Sequence, residues 1–353
     1  MRFIGNKEKL VYWIYAIIKA NKIKGETFFD FFSGTSNVGK FFKEKDYQII
    51  SSDLLYFSYV LQMAYLVNNK IPQFKKLLSK ININSTSLFA SNFELVLEFL
   101  NNLPLREGFI YNNYAPSGTK ELEKPRMFFI DDNAKKIDAI RYQIEEWKDK
   151  NLINENEYFI LLACLIESVP FFANILGVFA AFKKDWDRRA LKKFILKPIR
   201  IFEDTKEHFA FNKSSLDLIN EFKYDIIYLD PPYNQRQYAP NYHLLETIAK
   251  YDNPEIKGIS GMRNYDKQKS SFCNKEKALF DLELILKSNS YKYVLLSYNN
   301  EGIMPQERIV KIMAKYGDVK IEEYDYLRFK SNNNGEARTK KFIKEQLYIL
   351  KKN

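Results

Sequence analysis

Four residues in the second half of the chain, Asp230, Pro231, Pro232 and Tyr233, have the types and spacing for chemistry on a flat, amine-bearing substrate. They follow Tyr224-Asp225-Ile226-Ile227-Tyr228-Leu229, a short apolar run that reads as a buried strand. The strand cannot continue, because neither proline has an N–H to give to a ladder. Asp230 and Tyr233 are therefore expected at the strand's carboxyl end, the edge of an open α/β sheet where ligands bind. The ring can stack on a base, while the carboxylate and a neighbouring backbone carbonyl accept hydrogen bonds from its exocyclic amine. The same tetrapeptide also serves as a plain strand-terminating turn, so its surroundings decide.

The elements that must position such a site begin at the N-terminus. From Lys7 to about Lys22, Leu10, Ile14, Ile17 and Ile18 recur at helical spacing with lysines between them, the pattern of a packed amphipathic helix. After Gly25, Thr27-Phe28-Phe29-Asp30-Phe31-Phe32 reads as a strand that runs into Ser33-Gly34-Thr35-Ser36-Asn37. Small residues let the backbone turn tightly there, and Ser36 or Asn37 can cap the helix through Val38, Phe41 and Phe42. Tyr47 to Asp53 is a second short strand that ends in an acid. Strand, glycine-bearing turn, helix and acid-ended strand form a nucleotide-binding unit. The turn lacks GxGxxG and follows Asp30. A carboxylate at that point suits an ammonium better than a pyrophosphate, and Asp53 can accept from ribose hydroxyls. The combination points to S-adenosylmethionine over NAD, with a purely structural turn as the alternative.

From Leu54 to about Asp204 the strand–helix alternation is lost. Helical stretches over 58–68 and 134–150 enclose a Pro, Gly and Asn-rich piece, 106–124, that includes Tyr111, Asn112, Asn113 and Tyr114. This reads as an inserted domain, 54–204, between two catalytic segments, 1–53 and 205–353. Its basic residues and loop tyrosines suit phosphate positioning and base-edge reading; a solvated helical cap is the plainer alternative. The run Ala180 to Arg189 either follows a phosphate backbone or is simply surface. After the central strand come a helix over 242–251, a basic loop over 258–277, a helix over 276–287 and a strand over 291–296. A helix over 307–316 and two strands over 319–329 and 342–350, read as a closing hairpin, complete the chain.

Composition sets the outer limits. The 353 residues are 46% hydrophobic, which excludes disorder and allows two domains. Lysine and arginine number 55 against 44 acids, and the net charge of +11 favours a polyanionic partner. Cys164 and Cys273 lie far apart and only His208 and His243 accompany them, so no metal site is expected and both cysteines read as small buried hydrophobes. No leader pattern is visible at the N-terminus, and Tyr158 to Phe182 is interrupted by Glu167, Ser168, Pro170 and Asn174. Buried helices in a cytoplasmic protein, with no membrane partner, are expected.

Taken in order, Phe3-Ile4-Gly5-Asn6-Lys7, Asp30-Phe31-Phe32-Ser33-Gly34-Thr35, Asp53 and Asp230-Pro231-Pro232-Tyr233 resemble the Dam-type, D12-class adenine-N6 DNA methyltransferases in the α arrangement. The continuation through Asn234-Gln235-Arg236-Gln237-Tyr238 to Glu246-Thr247, with Ser297-Tyr298-Asn299-Asn300-Glu301-Gly302, is most similar to the subgroup that includes the FokI-system methylase. The resemblance implies an α/β fold: a Rossmann-like S-adenosylmethionine-dependent methyltransferase sheet, an inserted, mainly helical target-recognition domain and a C-terminal antiparallel hairpin. It implies duplex DNA as substrate and, as a possible partner, a cognate restriction endonuclease. Ile4, Gly5 and Lys7 would line the methionine end of the cofactor, Asp30, Phe32, Ser33 and Gly34 its turn, Asp53 its ribose, and Ser215 and Leu216 its adenine. Asp230, Pro231, Pro232 and Tyr233 would be catalytic, with direct methyl transfer, no metal and no covalent enzyme intermediate. Tyr233→Phe is expected to be mild because the ring survives. Ser36 stands where the family usually has a second glycine; a serine can still make the turn if its φ is ordinary. Related motifs also serve methylation of RNA adenine and of protein glutamine, and a non-catalytic DNA-binding protein of the same fold is the reading from another class.

Overall fold

The structure, a computed structural model, describes residues 5, 7–81, 90–327 and 342–353. Contacts divide the chain into two compact units. One comprises Lys7–Leu54, Glu207–Gln237 and Lys269–Asn353, and the other Met1–Asn6, Leu55–Lys206 and Tyr238–Gln268. The second unit thus takes in 238–268 as well as the region expected for the insertion.

In chain order the strands are β1 (Thr27–Asp30), β2 (Gln48–Ser52), β3 (Phe209–Phe211), β4 (Tyr224–Leu229), β5 (Ile256–Lys257), β6 (Met262–Arg263), β7 (Tyr291–Asn299), β8 (Gly317–Leu327) and β9 (Phe342–Lys352). Seven of them build the first unit's sheet in the order β3-β2-β1-β4-β7-β9-β8. In that order β3, β2, β1, β4 and β7 are mutually parallel, β9 runs antiparallel to β7, and β8 pairs antiparallel with β9. Parallel strands are covered on both faces and therefore read as continuous apolar runs, as β1 and β4 do. On one face Phe29, Ile227, Leu229, Val294 and Leu296 join a core with Leu282, Ile285 and Met313. On the other, Phe28 stacks at 4.0 Å on Phe42 of the helix Asn37–Glu44. The order reverses at β1, whose neighbours are β2 and β4. Chains leaving β1 and β4 at their carboxyl ends turn away from each other there, which opens a crevice.

The first turn corrects one expectation. Ser36 has φ +58, the left-handed conformation that a glycine would adopt freely, and its side chain does not cap the helix that follows. Its Oγ lies instead 3.5 Å from that of Ser33, and the residue is fully buried. An L-residue pays about 1–2 kcal/mol to sit there, part of which glycine would lose again as unfolded-state entropy. Ser36→Gly should therefore raise stability by up to about 1 kcal/mol, seen as a higher urea midpoint at unchanged slope; a lower midpoint would mean that the hydroxyl contact outweighs the strain.

The second unit is mainly helical, with Tyr56–Gln62, Asn92–Asn102, Phe109–Tyr114, Asp131–Asp149, Glu155–Ser168 and Ala239–Lys250 as its principal helices. The helix Ala239–Lys250 belongs with them because buried Glu246 accepts from the N–H groups of Tyr56 (3.1 Å) and Phe57 (3.0 Å), capping the first of these helices. The piece 106–124 is not an exposed reading loop throughout. Tyr114 is fully buried and donates to the Gly261 carbonyl at 2.8 Å. Arg126 donates to Gly258 and Ile259 carbonyls at 3.0 Å each, holding the β5–β6 ribbon. In the run 180–189, Lys183 and Arg189 both pair with Asp187, so part of that charge is neutralised locally. Cys164 and Cys273 are free and buried. No helix among the described residues is long and apolar enough to cross a membrane.

Candidate active site

The site lies within the sheet unit, at the crevice between the ends of β1 and β4. In parallel register Asp30 pairs with Tyr228, and residues two apart on a strand share a face. Asp30, Tyr228 and Asp230 therefore face the same side, the side of Lys7 and the helix Val11–Ala20. The strand β4 stops at Leu229, and Pro231 and Pro232 are buried, which fixes the turn that presents Asp230 and Tyr233.

Asp230 is the hub of a compact network. Its Oδ1 accepts from the Tyr233 hydroxyl at 3.0 Å and lies 3.5 Å from Lys7 Nζ. Lys7 also donates to the Tyr233 hydroxyl and, at 3.1 Å, to Glu345 Oε2. Glu345 Oε2 is 3.3 Å from the Tyr233 hydroxyl as well. Burial pushes the Asp230 carboxyl up, to about 6; the Lys7 charge opposes this and Glu345 adds to it. Lys7 is held above the ordinary lysine range despite its burial, by Asp230 and Glu345. The Tyr233 and Lys7 contacts both fall on Oδ1, and among the described residues no hydrogen bond is made to Asp230 Oδ2, so that oxygen can accept from a ligand.

Behind Tyr233 stands the end of β7. Tyr298 is fully buried and meets the Tyr233 ring edge-on, centroids 4.9 Å apart. The Tyr298 hydroxyl accepts from Met304 N–H at 3.2 Å, and the Tyr233 carbonyl accepts from Ile303 N–H at 3.1 Å. Gly302 is required here, since a Cβ would fall 2.1 Å from Tyr298 Cε1. The Ser297-to-Gly302 stretch is thus the buttress of the Asp-Pro-Pro-Tyr turn. Tyr233 itself remains partly exposed and keeps surface for a stacking partner. Its hydroxyl is bonded to both Lys7 and Asp230, contacts that the expectation of a mild phenylalanine substitution, which rested on the ring alone, did not include.

The first turn forms the other wall. Asp30 is buried at 1% exposure, and Gly39 N–H donates to its Oδ2 at 3.2 Å. Burial raises its carboxyl to about 7 against hydrogen bonds from Ser33 and Gly39, and Asp230 and Asp53 repel it further. No cationic side chain pairs with it among the described residues. A buried carboxylate in that condition is a receptor for a cation, which fits the ammonium of an amino-acid-bearing nucleoside. Asp53, just past β2, accepts from Gly34 N–H at 2.9 Å, which ties the second acid to the glycine turn. Phe32 is partly exposed and packs edge-on against Phe272 at 5.0 Å. Ser215 is buried and donates its hydroxyl to the Phe31 carbonyl, so it anchors the turn Ser215–Leu218, whereas Leu216 is partly exposed beside it.

Most of the residues singled out from the sequence thus converge in one unit. Lys7, expected at the methionine end of the cofactor, lies against Asp230, Tyr233 and Glu345. Gly5 belongs to the other unit, with φ +78, and Ile4 lies outside the described residues. Glu345 was not anticipated. It carries no motif, and only the placement of β9 between β7 and β8, with Glu345 opposite Asn299, brings it to Lys7.

The D12 class N6 adenine-specific DNA methyltransferase family matches residues 3–312. The type II methyltransferase M.FokI of Planomicrobium okeanokoites is 41% identical over 343 residues, 96% of this chain and 51% of that protein. The modification methylase StsI of Streptococcus sanguinis is 37% identical over 100% of this chain and 52% of its own length. The type II methyltransferase M.NlaIII of Neisseria lactamica is 36% identical, covering 100% of this chain and 99% of that protein. The chain therefore spans about half the length of the first two relatives and nearly the whole of the third.

Proposed function

The chain belongs to the D12 class N6 adenine-specific DNA methyltransferase family, and from that premise we propose that it methylates N6 of an adenine in duplex DNA, using S-adenosylmethionine. The modification side of a restriction-modification system is its setting, with a cognate endonuclease as partner and the cytoplasm as its place of work. The observation that carries the reading is the pairing, in one crevice, of the Asp230–Tyr233 turn with a buried Asp30 that has no cationic partner among the described residues.

When bound, S-adenosylmethionine supplies an electrophilic methyl group. Asp30 would hold its ammonium, Phe32, Ser33 and Gly34 would bend round its methionine part, and Asp53 would accept from its ribose. Leu216 would cover its adenine, with Ser215 fixing the turn beneath. On the substrate side the target base must leave the duplex, at a cost of a few kcal/mol. Stacking on Tyr233 would return about 1–3 kcal/mol of that. Adenine N6 is a weak nucleophile because its lone pair is delocalised into the ring. Asp230 Oδ2 and the Pro231 carbonyl would accept its two hydrogens and draw the nitrogen toward a tetrahedral shape. Asp230 would take the surplus proton that N6 carries after gaining the methyl, the electron pair of the broken S–CH3 bond staying on the cofactor's sulfur. Positioning and fixed charge do most of the work. The mainly helical unit would supply target recognition.

The protonation state of Asp230 sets a pH dependence. Only its carboxylate accepts the amine hydrogens. With the carboxyl raised to about 6, kcat/KM in the free enzyme should fall as the pH drops through about 6. A limb near the ordinary aspartate range would contradict the buried network.

The substrate class is tested by competition. Labelled methyl from S-adenosylmethionine is offered to unmethylated duplex DNA in the presence of an excess of RNA or of protein. Incorporation into DNA that neither competitor reduces is the expected outcome; preferential labelling of RNA or protein would overturn the assignment, and none at all in any of the three would favour a DNA-binding protein without catalysis.

A further inference from the structure

The network around Asp230 contains one member that neither the tetrapeptide nor the nucleotide-binding unit accounts for. Glu345 lies on β9, and the family match ends at residue 312. Its side chain is 6% exposed and meets a Lys7 side chain that is 4% exposed. Two buried side chains of opposite charge at 3.1 Å hold each other in one geometry. A lone Lys7 would have one anionic partner, Asp230, at 3.5 Å, and would close on it. With Glu345 present, Lys7 Nζ is shared among Glu345, the Tyr233 hydroxyl and, at 3.5 Å, Asp230 Oδ1.

We propose that Glu345 is a positioning residue for the transfer reaction: acting through Lys7, it keeps the ammonium on Asp230 Oδ1 and the Tyr233 hydroxyl and off Oδ2, the oxygen left for the substrate amine. This rests on the reading of the site as a methyltransferase centre. A purely structural ion pair would neutralise Lys7 equally well but would have no reason to stand within reach of the Tyr233 hydroxyl. The register supplies that reach. Glu345 is opposite Asn299 at the end of β7, next to the Tyr298 that backs Tyr233. The charged and titratable groups that face Asp230 are Lys7, Asp30 from β1, Tyr228 from β4, Tyr233 from the turn and Glu345 from β9. Glu345 is the anion among them whose removal leaves both the cofactor wall and the stacking ring in place.

The test is Glu345→Gln in the full chain, compared with wild type for DNA methylation. The glutamine keeps the shape and an acceptor for Lys7 but not the charge. Turnover should fall on the order of tenfold to a hundredfold, with S-adenosylmethionine affinity and thermal midpoint close to wild type. The acid limb of the pH profile should move to lower pH, because burial still raises the Asp230 carboxyl and Lys7 still opposes it, but the further rise from Glu345 is gone. In a Lys7→Met background the same change should cost turnover far less than in wild type, since the route through Lys7 is cut and only the 3.3 Å contact with the Tyr233 hydroxyl is left. Unchanged turnover, an unmoved acid limb, or a full additional loss in the Lys7→Met background would each overturn the proposal. So would a loss of turnover that merely tracks loss of fold or of cofactor binding. Absence of DNA methylation by the wild-type chain would instead strike at the underlying reading, and the two failures are thus distinguishable.

Discussion

Asp230→Ala is expected to lower methyl transfer at least about 10³-fold and to leave S-adenosylmethionine bound. The removed carboxylate is the acceptor at the reacting nitrogen and also the recipient of its proton, so both contributions vanish together. The fold should survive. Lys7 keeps Glu345 as its partner at 3.1 Å, and the carboxyl that is lost was itself disfavoured by burial. Calorimetric titration with the cofactor, run beside the transfer assay, checks both halves. A variant that transfers normally would end the mechanism, and one that no longer binds cofactor would move Asp230 from the substrate side to the cofactor side.

Asp30→Asn should do the reverse. Cofactor affinity is expected to fall about 10² to 10³-fold, because the neutral amide cannot balance an ammonium in a buried site. Stability should move the other way. In the folded chain the Asp30 carboxyl is raised from 3.8 to about 7, so its charged form costs the fold free energy. That penalty is absent below the unfolded value, grows as the pH rises from about 4, and is complete above about 7. The asparagine variant should therefore be the more stable by about 2–4 kcal/mol at pH of about 8, and the advantage should shrink toward nothing by about pH 4. Urea unfolding without cofactor at several pH values measures it. Equal cofactor affinity in the two proteins, or a stability difference that does not depend on pH, would contradict the role given to Asp30.

The parts of this site that were legible in the sequence are those built from local rules. Two prolines after an apolar run must end a strand, so Asp230 and Tyr233 could be placed at its carboxyl end. A strand, a single-glycine turn and a helix put Asp30 just ahead of the turn of the nucleotide-binding unit. What was not legible depends on distant pairing or on tertiary strain. Lys7 and Glu345 are 338 positions apart and meet because β9 inserts between β7 and β8. Ser36 adopts φ +58 because the surrounding turn demands it, against the preference of the residue itself. The strand β3 has three half-buried residues, too few to show alternation. Tyr114 sits in a polar, asparagine-rich stretch and reads as exposed, yet the Gly261 carbonyl gives its hydroxyl a partner and lets the ring be buried. The tyrosine hydroxyl at 233 belongs with these: its value lies in neighbours that no local pattern reveals.

The central claim is that the Asp230–Tyr233 turn places adenine N6 for methyl transfer. The most direct measurement incubates methyl-free plasmid DNA with S-adenosylmethionine and either the wild-type chain or Asp230→Ala, and then sequences the DNA for N6-methyladenine. The account predicts modification at one recurrent short sequence with the wild type and none with the variant. Methyl groups on another base or another adenine atom, or equal modification by the two proteins, would contradict it.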